Sequence, residues 1–167
     1  ANTTGAMIDI TGTSSYLSNN SLNQMNNNTI YVNYSKYGVK MNGVHGNSNT
    51  ARYSMVNNKI QILNNTASKT DAGLYMLNTS NYTITGNNIY MATGNQTPTT
   101  VGTILLINPT YSLAPIGIWT YSPTNTLLSC NNLYTQTGTF HENAHTNFEL
   151  RTNNYVSKNY GVVFKNY

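Results

Sequence analysis

The sequence predicts an all-β protein: a right-handed, single-stranded parallel β-helix of about four coils, with three short strands in each coil. Three observations predict it. Asn-Asn pairs and glycines recur at a fixed offset, apolar and polar residues alternate in short runs, and helix-forming sequence is nearly absent. Such strands stack coil upon coil in a solenoid, with alternate side chains pointing inward. We expect residues 1–167 to form one such domain, matured or excised from a longer protein.

The repeat has two parts. Asn-Asn pairs precede an apolar residue by one or two positions at Asn19-Asn20, Asn57-Asn58, Asn87-Asn88 and Asn131-Asn132. Glycines open alternating apolar runs at Gly38, Gly73, Gly117 and Gly161. Asn tolerates left-handed backbone angles, so we expect the pairs at the corners between strands, with stacked side chains bonded in ladders along the axis.

The offset is 44 residues three times: from Gly73 to Gly117, from Gly117 to Gly161, and from Asn87 to Asn131. It aligns Asn81 with Asn125 and Tyr90 with Tyr134. It also aligns 104–106 with 148–150, and it predicts three strands for the last full unit, at 117–121, 126–134 and 147–151. Unequal units then require loops of variable length, longer toward the C-terminus, and an unfinished last coil.

Composition favours an extracellular or cell-surface location, or a virion tail. Only 7% of the residues are charged, while 30 are Asn and 25 are Thr, and a surface of amides and hydroxyls is insensitive to salt and pH. The net charge of +4 comes from eight scattered bases. No basic run exists to hold a phosphate backbone, and no apolar run reaches the ~18 residues of a membrane span, so we expect neither nucleic-acid binding nor membrane insertion.

Residues 72–90, from Ala72-Gly73-Leu74-Tyr75-Met76 to Gly86-Asn87-Asn88-Ile89-Tyr90, resemble the repeat of the pectin-lyase-like superfamily. The resemblance covers about 70–135. That repeat occurs in polysaccharide lyases, phage tailspikes and adhesin-like surface proteins. The resemblance therefore implies the fold but leaves the function open.

Enzymes of this fold resemble one another in using clustered carboxylates, often with Ca²⁺ or a basic residue. This chain has four acids: Asp9, Asp71, Glu142 and Glu149. Glycosidases need two carboxyls within about 5–10 Å, and only Glu142 and Glu149 are close enough in sequence to meet that condition. The sequence also lacks phosphate-loop, dinucleotide-binding and nucleophile-elbow motifs. We therefore expect no catalytic residue and no cofactor, with polysaccharide lyase or hydrolase activity as an open alternative.

His141-Glu142-Asn143-Ala144-His145 matches the H-E-x-x-H zinc motif. That chemistry needs both histidines on one face of a helix, with the Glu beside a zinc-bound water. Here the motif is predicted to lie in a polar loop, so a weak metal contact through His141 and His145 is only an alternative. Cys130, in an apolar context, is predicted to be a small core residue.

Aromatic residues among polar ones suit sugar rings, which have apolar faces and hydroxyl edges. The candidate glycan-binding residues are Trp119, Tyr121, Tyr111, Tyr90 and Tyr134. For Trp119 the alternative is packing beneath a long loop. Candidate N-glycosylation sites in Asn-x-Ser/Thr sequons are Asn33, Asn64, Asn78, Asn81 and Asn95, although a chain this rich in Asn, Ser and Thr holds several sequons by chance.

We expect a non-catalytic surface module for adhesion or structural assembly, with cell-surface or host glycans as partners. The alternative is a tailspike or tail-fibre domain that recognises host glycans. The chain ends in Gly161-Val162-Val163-Phe164-Lys165-Asn166-Tyr167, which is predicted to be the first strand of an incomplete coil. We expect a homo-oligomer or an adjoining domain to cover that end, because an open β-helix end exposes an unpaired edge.

Overall fold

The computed structural model describes residues 6–11, 24–32, 35–45, 53–63, 70–91, 104–105, 115–157 and 159–166. These residues form strands without any α-helix. The strands are β1 (Ala6–Thr11), β2 (Gln24–Asn26), β3 (Thr29–Val32), β4 (Tyr37–Asn42), β5 (Tyr53–Val56), β6 (Lys59–Ile62), β7 (Ala72–Leu77), β8 (Ser80–Thr85), β9 (Asn88–Met91), β10 (Ile104–Leu105), β11 (Ile116–Tyr121), β12 (Thr124–Ser129), β13 (Asn132–Tyr134), β14 (Thr137–Glu142), β15 (Thr146–Arg151), β16 (Asn154–Tyr155) and β17 (Tyr160–Lys165).

The predicted parallel β-helix is confirmed. Sheet 1 has the order β1-β4-β7-β11-β14-β17-β10, sheet 2 the order β15-β12-β8-β5-β2, and sheet 3 the order β16-β13-β9-β6-β3. All pairings are parallel, and each coil gives one strand to each sheet. Coils 1 to 5 are therefore β1–β3, β4–β6, β7–β9, β11–β13 and β14–β16, and β17 begins a sixth.

The structure has five complete coils, whereas the sequence predicts about four. The difference arises because the 44-residue offset spans one coil in one part of the chain and two coils in another. From Gly73 to Gly117 it spans one coil plus the chain segment that contains β10. From Gly117 to Gly161 it spans two tight coils, since β11 pairs with β14 and β14 with β17. The predicted segment 126–134 is two strands, and 147–151 belongs to the next coil. The last complete coils are thus among the shortest, and the expectation of longer loops toward the C-terminus is wrong.

The predicted alignment of 104–106 with 148–150 is also wrong. Phe148 lies in β15 of sheet 2, whereas β10 pairs with β17 in sheet 1 through Ile104 opposite Val162 and Leu105 opposite Val163. Although β10 precedes β11 in sequence, it lies at the far edge of sheet 1. Two residues of this edge are therefore covered by the chain itself.

A column of glycines explains the second part of the repeat. Gly38, Gly73, Gly117, Gly138 and Gly161 occupy the second position of successive sheet 1 strands. A Cβ on Gly38 would lie 2.5 Å from the Gly73 carbonyl oxygen, and one on Gly138 would lie 2.5 Å from the Gly161 carbonyl oxygen. Side chains are excluded because the backbones of neighbouring coils approach too closely. Gly138, which the sequence analysis missed, marks the extra coil.

The predicted asparagine ladder is confirmed and runs through every complete coil. Its members are Asn28, Asn58, Asn87, Asn131 and Asn153, each at the corner before a sheet 3 strand. The Nδ2 of each member donates to the Oδ1 of the next over 2.9–3.0 Å, and so does its backbone N–H. Asn19-Asn20 lies outside the described residues. The residue before the ladder position has a positive φ at Asn27, Asn57, Gly86 and Cys130, as expected for a tight corner.

The core lies between the three sheets, and alternate residues of the described strands point into it. In coil 3 the described ones are apolar: Leu74, Met76, Tyr82, Ile84 and Ile89, all at most 3% exposed. In coil 5 the corresponding positions hold Thr139, His141, Phe148, Leu150 and Tyr155, with Ser157 after the strand. Polar residues are therefore admitted to the core toward the C-terminal end.

Candidate functional site

The outer face of sheet 3 carries a line of polar aromatic and amide side chains. Alternation buries Ile30, Ile60, Ile89 and Leu133 and turns the next residue of each strand outward. Tyr31, Gln61, Tyr90 and Tyr134 therefore occupy one position on four consecutive coils. We call this line the tyrosine stripe. Tyr31 is the most open of them, with 54% of its surface exposed.

A hydrogen bond links two neighbouring members of the tyrosine stripe. The Tyr90 hydroxyl donates to Oε1 of Gln61 over 3.0 Å. Neighbouring strands of a sheet lie about 4.7–4.9 Å apart, so the stripe repeats at that spacing along the solenoid axis. A regular row of side chains on one face of a sheet can contact a polymer laid parallel to the axis.

A second column runs beside the stripe. It contains Thr29, Lys59, Asn88, Asn132 and Asn154 in register. Asn132 Nδ2 donates to Asn88 Oδ1 over 2.9 Å, and Asn154 Nδ2 donates to Asn132 Oδ1 over 3.4 Å. These exposed amides and the Lys59 ammonium place hydrogen-bonding groups within reach of any ligand on the tyrosines.

Aromatic residues also line the outer face of sheet 1, but there they are packed together. Ring centroids of Tyr37 and Tyr75 are 4.6 Å apart, those of Tyr75 and Trp119 5.0 Å, and those of Trp119 and Phe140 5.5 Å. Tyr37 and Phe140 are buried. Burial, together with the neighbouring Tyr37, raises the pKa of Tyr75 to about 12. These aromatic rings therefore pack against one another and form a layer on the outer face of sheet 1.

Trp119 lies half-buried in that layer, and its indole Nε1 donates to Oε2 of Glu142 over 3.0 Å. Glu142 in turn pairs with Lys165 over 2.9 Å. Trp119 does point outward from the sheet, as its alternation predicts, but its polar atom already has a partner within the chain. The packing alternative fits its surroundings better than an open sugar platform does.

The structure thus divides the five candidate glycan-binding residues. Tyr90 and Tyr134 lie one coil apart on sheet 3, whereas Trp119 and Tyr121 lie on sheet 1. Tyr111 lies outside the described residues. Tyr31, Gln61 and Lys59 complete the sheet 3 face and were missed. They could have been found by aligning Asn28-Thr29-Ile30-Tyr31 and Asn58-Lys59-Ile60-Gln61 with Asn87-Asn88-Ile89-Tyr90.

The H-E-x-x-H segment lies on strand β14 and the corner after it, so its predicted placement in a loop is wrong. On a strand, neighbouring side chains point to opposite faces. His141 is fully buried in the core, while Glu142 lies on the outer face of sheet 1. The helical geometry of the zinc motif therefore does not form. Among the described residues, no group of three or more His, Cys, Asp and Glu side chains is placed to hold a metal ion.

The two histidines instead belong to an aromatic cluster near the C-terminal end of the core. The His141 ring centroid lies 4.7 Å from that of Phe148 and 4.9 Å from that of Phe164. Its Nδ1 is 2.7 Å from the Thr120 hydroxyl oxygen, whereas its Nε2 has no hydrogen-bond partner. Burial, assisted by the neighbouring His145, holds the pKa of His141 well below its ordinary value. Burial lowers the pKa of His145 as well.

Each acid lies in an ion pair with its own base: Asp9 with Lys40, Asp71 with Lys36, Glu142 with Lys165, and Glu149 with Arg151. Glu142 and Glu149 share coil 5, but they project from the outer faces of sheets 1 and 2 respectively. The four carboxylates are therefore distributed over different coils or faces.

The described sequon asparagines lie just before and within strand β8. Asn78 is an exposed corner residue, whereas Asn81 is half-buried and its Oδ1 accepts a hydrogen bond from Asn125. Asn33, Asn64 and Asn95 lie outside the described residues. Cys130 is exposed, so its prediction as a core residue is wrong. Inward Leu128 is followed by outward Ser129, and Cys130 then forms the corner, 3.2 Å from the Thr152 hydroxyl.

No helix in the described part of the chain is long and apolar enough to cross a membrane. Comparison with protein-family models, with curated proteins and with solved structures gave no match.

Proposed function

We propose that this chain is a non-catalytic, glycan-binding module of an extracellular surface, and that the tyrosine stripe on sheet 3 is its contact face. The observation that carries the proposal is the register of Tyr31, Gln61, Tyr90 and Tyr134 on four consecutive coils. This is the described face on which aromatic side chains point outward without forming a packed layer of their own.

The chemistry of the face suits a carbohydrate. A sugar ring has an apolar face that stacks on a tyrosine ring and hydroxyl edges that bond to amides. A polysaccharide laid along the axis would meet one stripe residue about every 4.7–4.9 Å, and the exposed amides of Asn88, Asn132 and Asn154 lie beside it. Each coil would then contribute one ring or amide and one flanking polar group.

The absence of catalysis in this proposal is supported by the ion pairs. Glycoside hydrolysis requires two carboxyl groups about 5–10 Å apart across one bond. Here each carboxylate is paired with a lysine or arginine. Glu142 also points outward from sheet 1 and Glu149 outward from sheet 2, so the two carboxylates do not flank a common groove.

The proposal includes descent from the pectin-lyase-like superfamily and a location outside the cell. Three parallel sheets and the repeat over 72–90 support the first. The second is supported by the low charged fraction of 7%. Exposed amides of neighbouring coils bond to one another instead of relying on ion pairs.

A glycan array tests the proposal with four proteins: wild type, Tyr31→Ala, Tyr90→Ala and the control Thr83→Ala, which lies on the outer face of sheet 2. We expect wild type to bind at least one polysaccharide class. Each Tyr→Ala change should weaken that binding about tenfold, since stacking on an aromatic ring contributes on the order of 1 kcal/mol beyond its buried area. Thr83→Ala should bind like wild type.

Circular dichroism and melting temperature would first establish that each variant is folded. Wild type that binds no glycan, or tyrosine variants that bind as well as wild type, would overturn the proposal.

A further inference from the structure

One positive charge on the outer face of sheet 3 has no acidic partner among the described residues. The sequence has eight bases and four acids, and all four acids are paired with Lys36, Lys40, Arg151 and Lys165. Subtracting four paired bases from eight leaves four: Arg52, Lys59, Lys69 and Lys158. Three of these lie outside the described residues. Within the described ranges, Lys59 is the one base without an acidic partner.

Lys59 lies among the tyrosines of the stripe. Its Nζ is 5.5 Å from the centroid of the Tyr90 ring, which is within the range of a cation–π contact. Its pKa is raised chiefly by its hydrogen bond and charge interaction with Tyr90, with Tyr31 adding a smaller effect. The side chain is exposed and fully protonated at neutral pH. A positive charge is thus held beside two aromatic rings on the open face.

Resting on the proposed function, we propose that the stripe takes an anionic polysaccharide, in which a carboxylate or sulfate group pairs with Lys59 while sugar rings stack on Tyr31 and Tyr90. The neutral residues around Lys59 favour this pairing. The described positions flanking it are Thr29 and Asn88 in its own column and Tyr31, Gln61 and Tyr90 in the stripe, so no acid competes for the ammonium.

A nucleic acid fits the same face less well. Single-stranded nucleic acids are held by a positively charged groove that follows the phosphates, in addition to stacking. The described part of this face has one cation over four coils, at Lys59. A polymer that stacks many rings and carries a few accessible anions is the better match.

The experiment compares matched polymers. Binding of wild type to alginate, which is a polyuronate, is measured by biolayer interferometry against the neutral propylene glycol ester of alginate. Dextran sulfate, dextran and oligo(dT) are measured alongside. The measurements are repeated at 20 and 300 mM NaCl. Lys59→Gln is the test variant, and Lys40→Gln, which removes an equal charge from the outer face of sheet 1, is the control.

We expect alginate to bind up to about fivefold tighter than its ester at low salt, as one exposed ion pair allows, and the difference to fade at high salt. Lys59→Gln should abolish the difference, and Lys40→Gln should retain it. If dextran sulfate behaves like alginate, the site accepts anions in general. If alginate alone binds tightly, the site prefers carboxylates. Both results support the inference.

Equal binding of alginate and its ester, or an unchanged preference in Lys59→Gln, would overturn the inference and leave the proposed glycan-binding function standing. Binding of oligo(dT) tighter than that of every polysaccharide would replace it with nucleic-acid binding. If no polymer binds, charged or neutral, the proposed function fails together with the inference.

Discussion

Coils 3 and 5 have the same arrangement of strands but differ in the side chains that form their cores. In coil 3, Leu74, Met76 and Ile84 fill the core and are fully buried. In coil 5, Thr139 and His141 occupy the columns of Leu74 and Met76. The His141 Nε2 and the Ser157 hydroxyl are buried there without hydrogen-bond partners, and the buried Thr139 hydroxyl has only an interaction with the Tyr155 hydroxyl.

The difference shows that backbone register and core hydrophobicity are specified separately. The glycine column and the asparagine ladder continue unchanged through both coils, because each depends on contacts between neighbouring backbones and corner amides. A buried polar group without a partner costs about 1–3 kcal/mol. We therefore expect coil 5 to be correctly wound but weakly stabilised.

The largest expected effect is the loss of an aliphatic side chain from coil 3. Leu74→Ala should reduce the free energy of unfolding by about 3 kcal/mol, since it removes buried methyl groups and leaves a cavity. Thr139→Ala, in the same column, should cost less, about 1 kcal/mol, because it removes a smaller side chain whose hydroxyl lacks a hydrogen bond of normal geometry. Urea unfolding at pH 7.5 measures both. Equal losses would mean that the two cores contribute alike.

The second effect depends on pH. The pKa of His141 is well below 6.5 in the folded protein and about 6.5 in the unfolded chain, so the folded state binds fewer protons. Its contribution to stability is therefore intact above pH 6.5 and is lost as the pH falls from 6.5 through the folded pKa, by up to about 1.4 kcal/mol per pH unit.

The control is His141→Met, which places in coil 5 the residue found at the same position in coils 2 and 3. Urea titrations at pH 7.5, 6 and 5 should show a smaller pH dependence in this variant, with the remainder due to His145, whose pKa is also lowered. An unchanged dependence would show that His141 is not the buried titrating group.

The smallest effect is a reciprocal exchange within one column. Thr139→Val should raise the free energy of unfolding by about 1 kcal/mol, because an isosteric methyl group replaces a buried hydroxyl whose interaction with Tyr155 lacks normal hydrogen-bond geometry. Val39→Thr, in coil 2, should lower it by about 1–2 kcal/mol for the opposite reason. Thermal melts of both variants and of the double variant would measure the exchange. Destabilisation by Thr139→Val would indicate that its hydroxyl is well bonded in solution, to Tyr155 or to an ordered water.

The sequence predicts the fold best where the core is aliphatic. Over 72–134 the glycine, the asparagine pair and the alternating apolar residues coincide, and the alignments of Asn81 with Asn125 and of Tyr90 with Tyr134 are confirmed. Coil 5 escaped detection because Thr137-Gly138-Thr139-Phe140-His141 places its apolar residue outward and its polar residues inward. A hydrophobic pattern cannot reveal a strand whose core side chains are polar.

The candidate site could be predicted only where neighbouring coils are related by the 44-residue offset. Tyr90 and Tyr134 were found because their coils are aligned by the 44-residue offset. Tyr31, Lys59 and Gln61 were missed because the ladder residues of coils 1 and 2, Asn28 and Asn58, are 30 residues apart. Loop length changes from coil to coil, so a fixed period misaligns them, whereas the corner asparagines keep the register.

Hydrogen exchange of the ladder amides tests the central contrast most directly. The backbone N–H groups of Asn58, Asn87 and Asn131 each donate to the asparagine Oδ1 of the next coil over 2.9–3.0 Å. They are chemically matched and differ in which coil supplies the acceptor. If coil 5 opens first, Asn131, whose acceptor is Asn153, should exchange at least tenfold faster than Asn58 and Asn87 in native buffer. Equal protection of all three amides would show that the coils unfold together and would contradict the account.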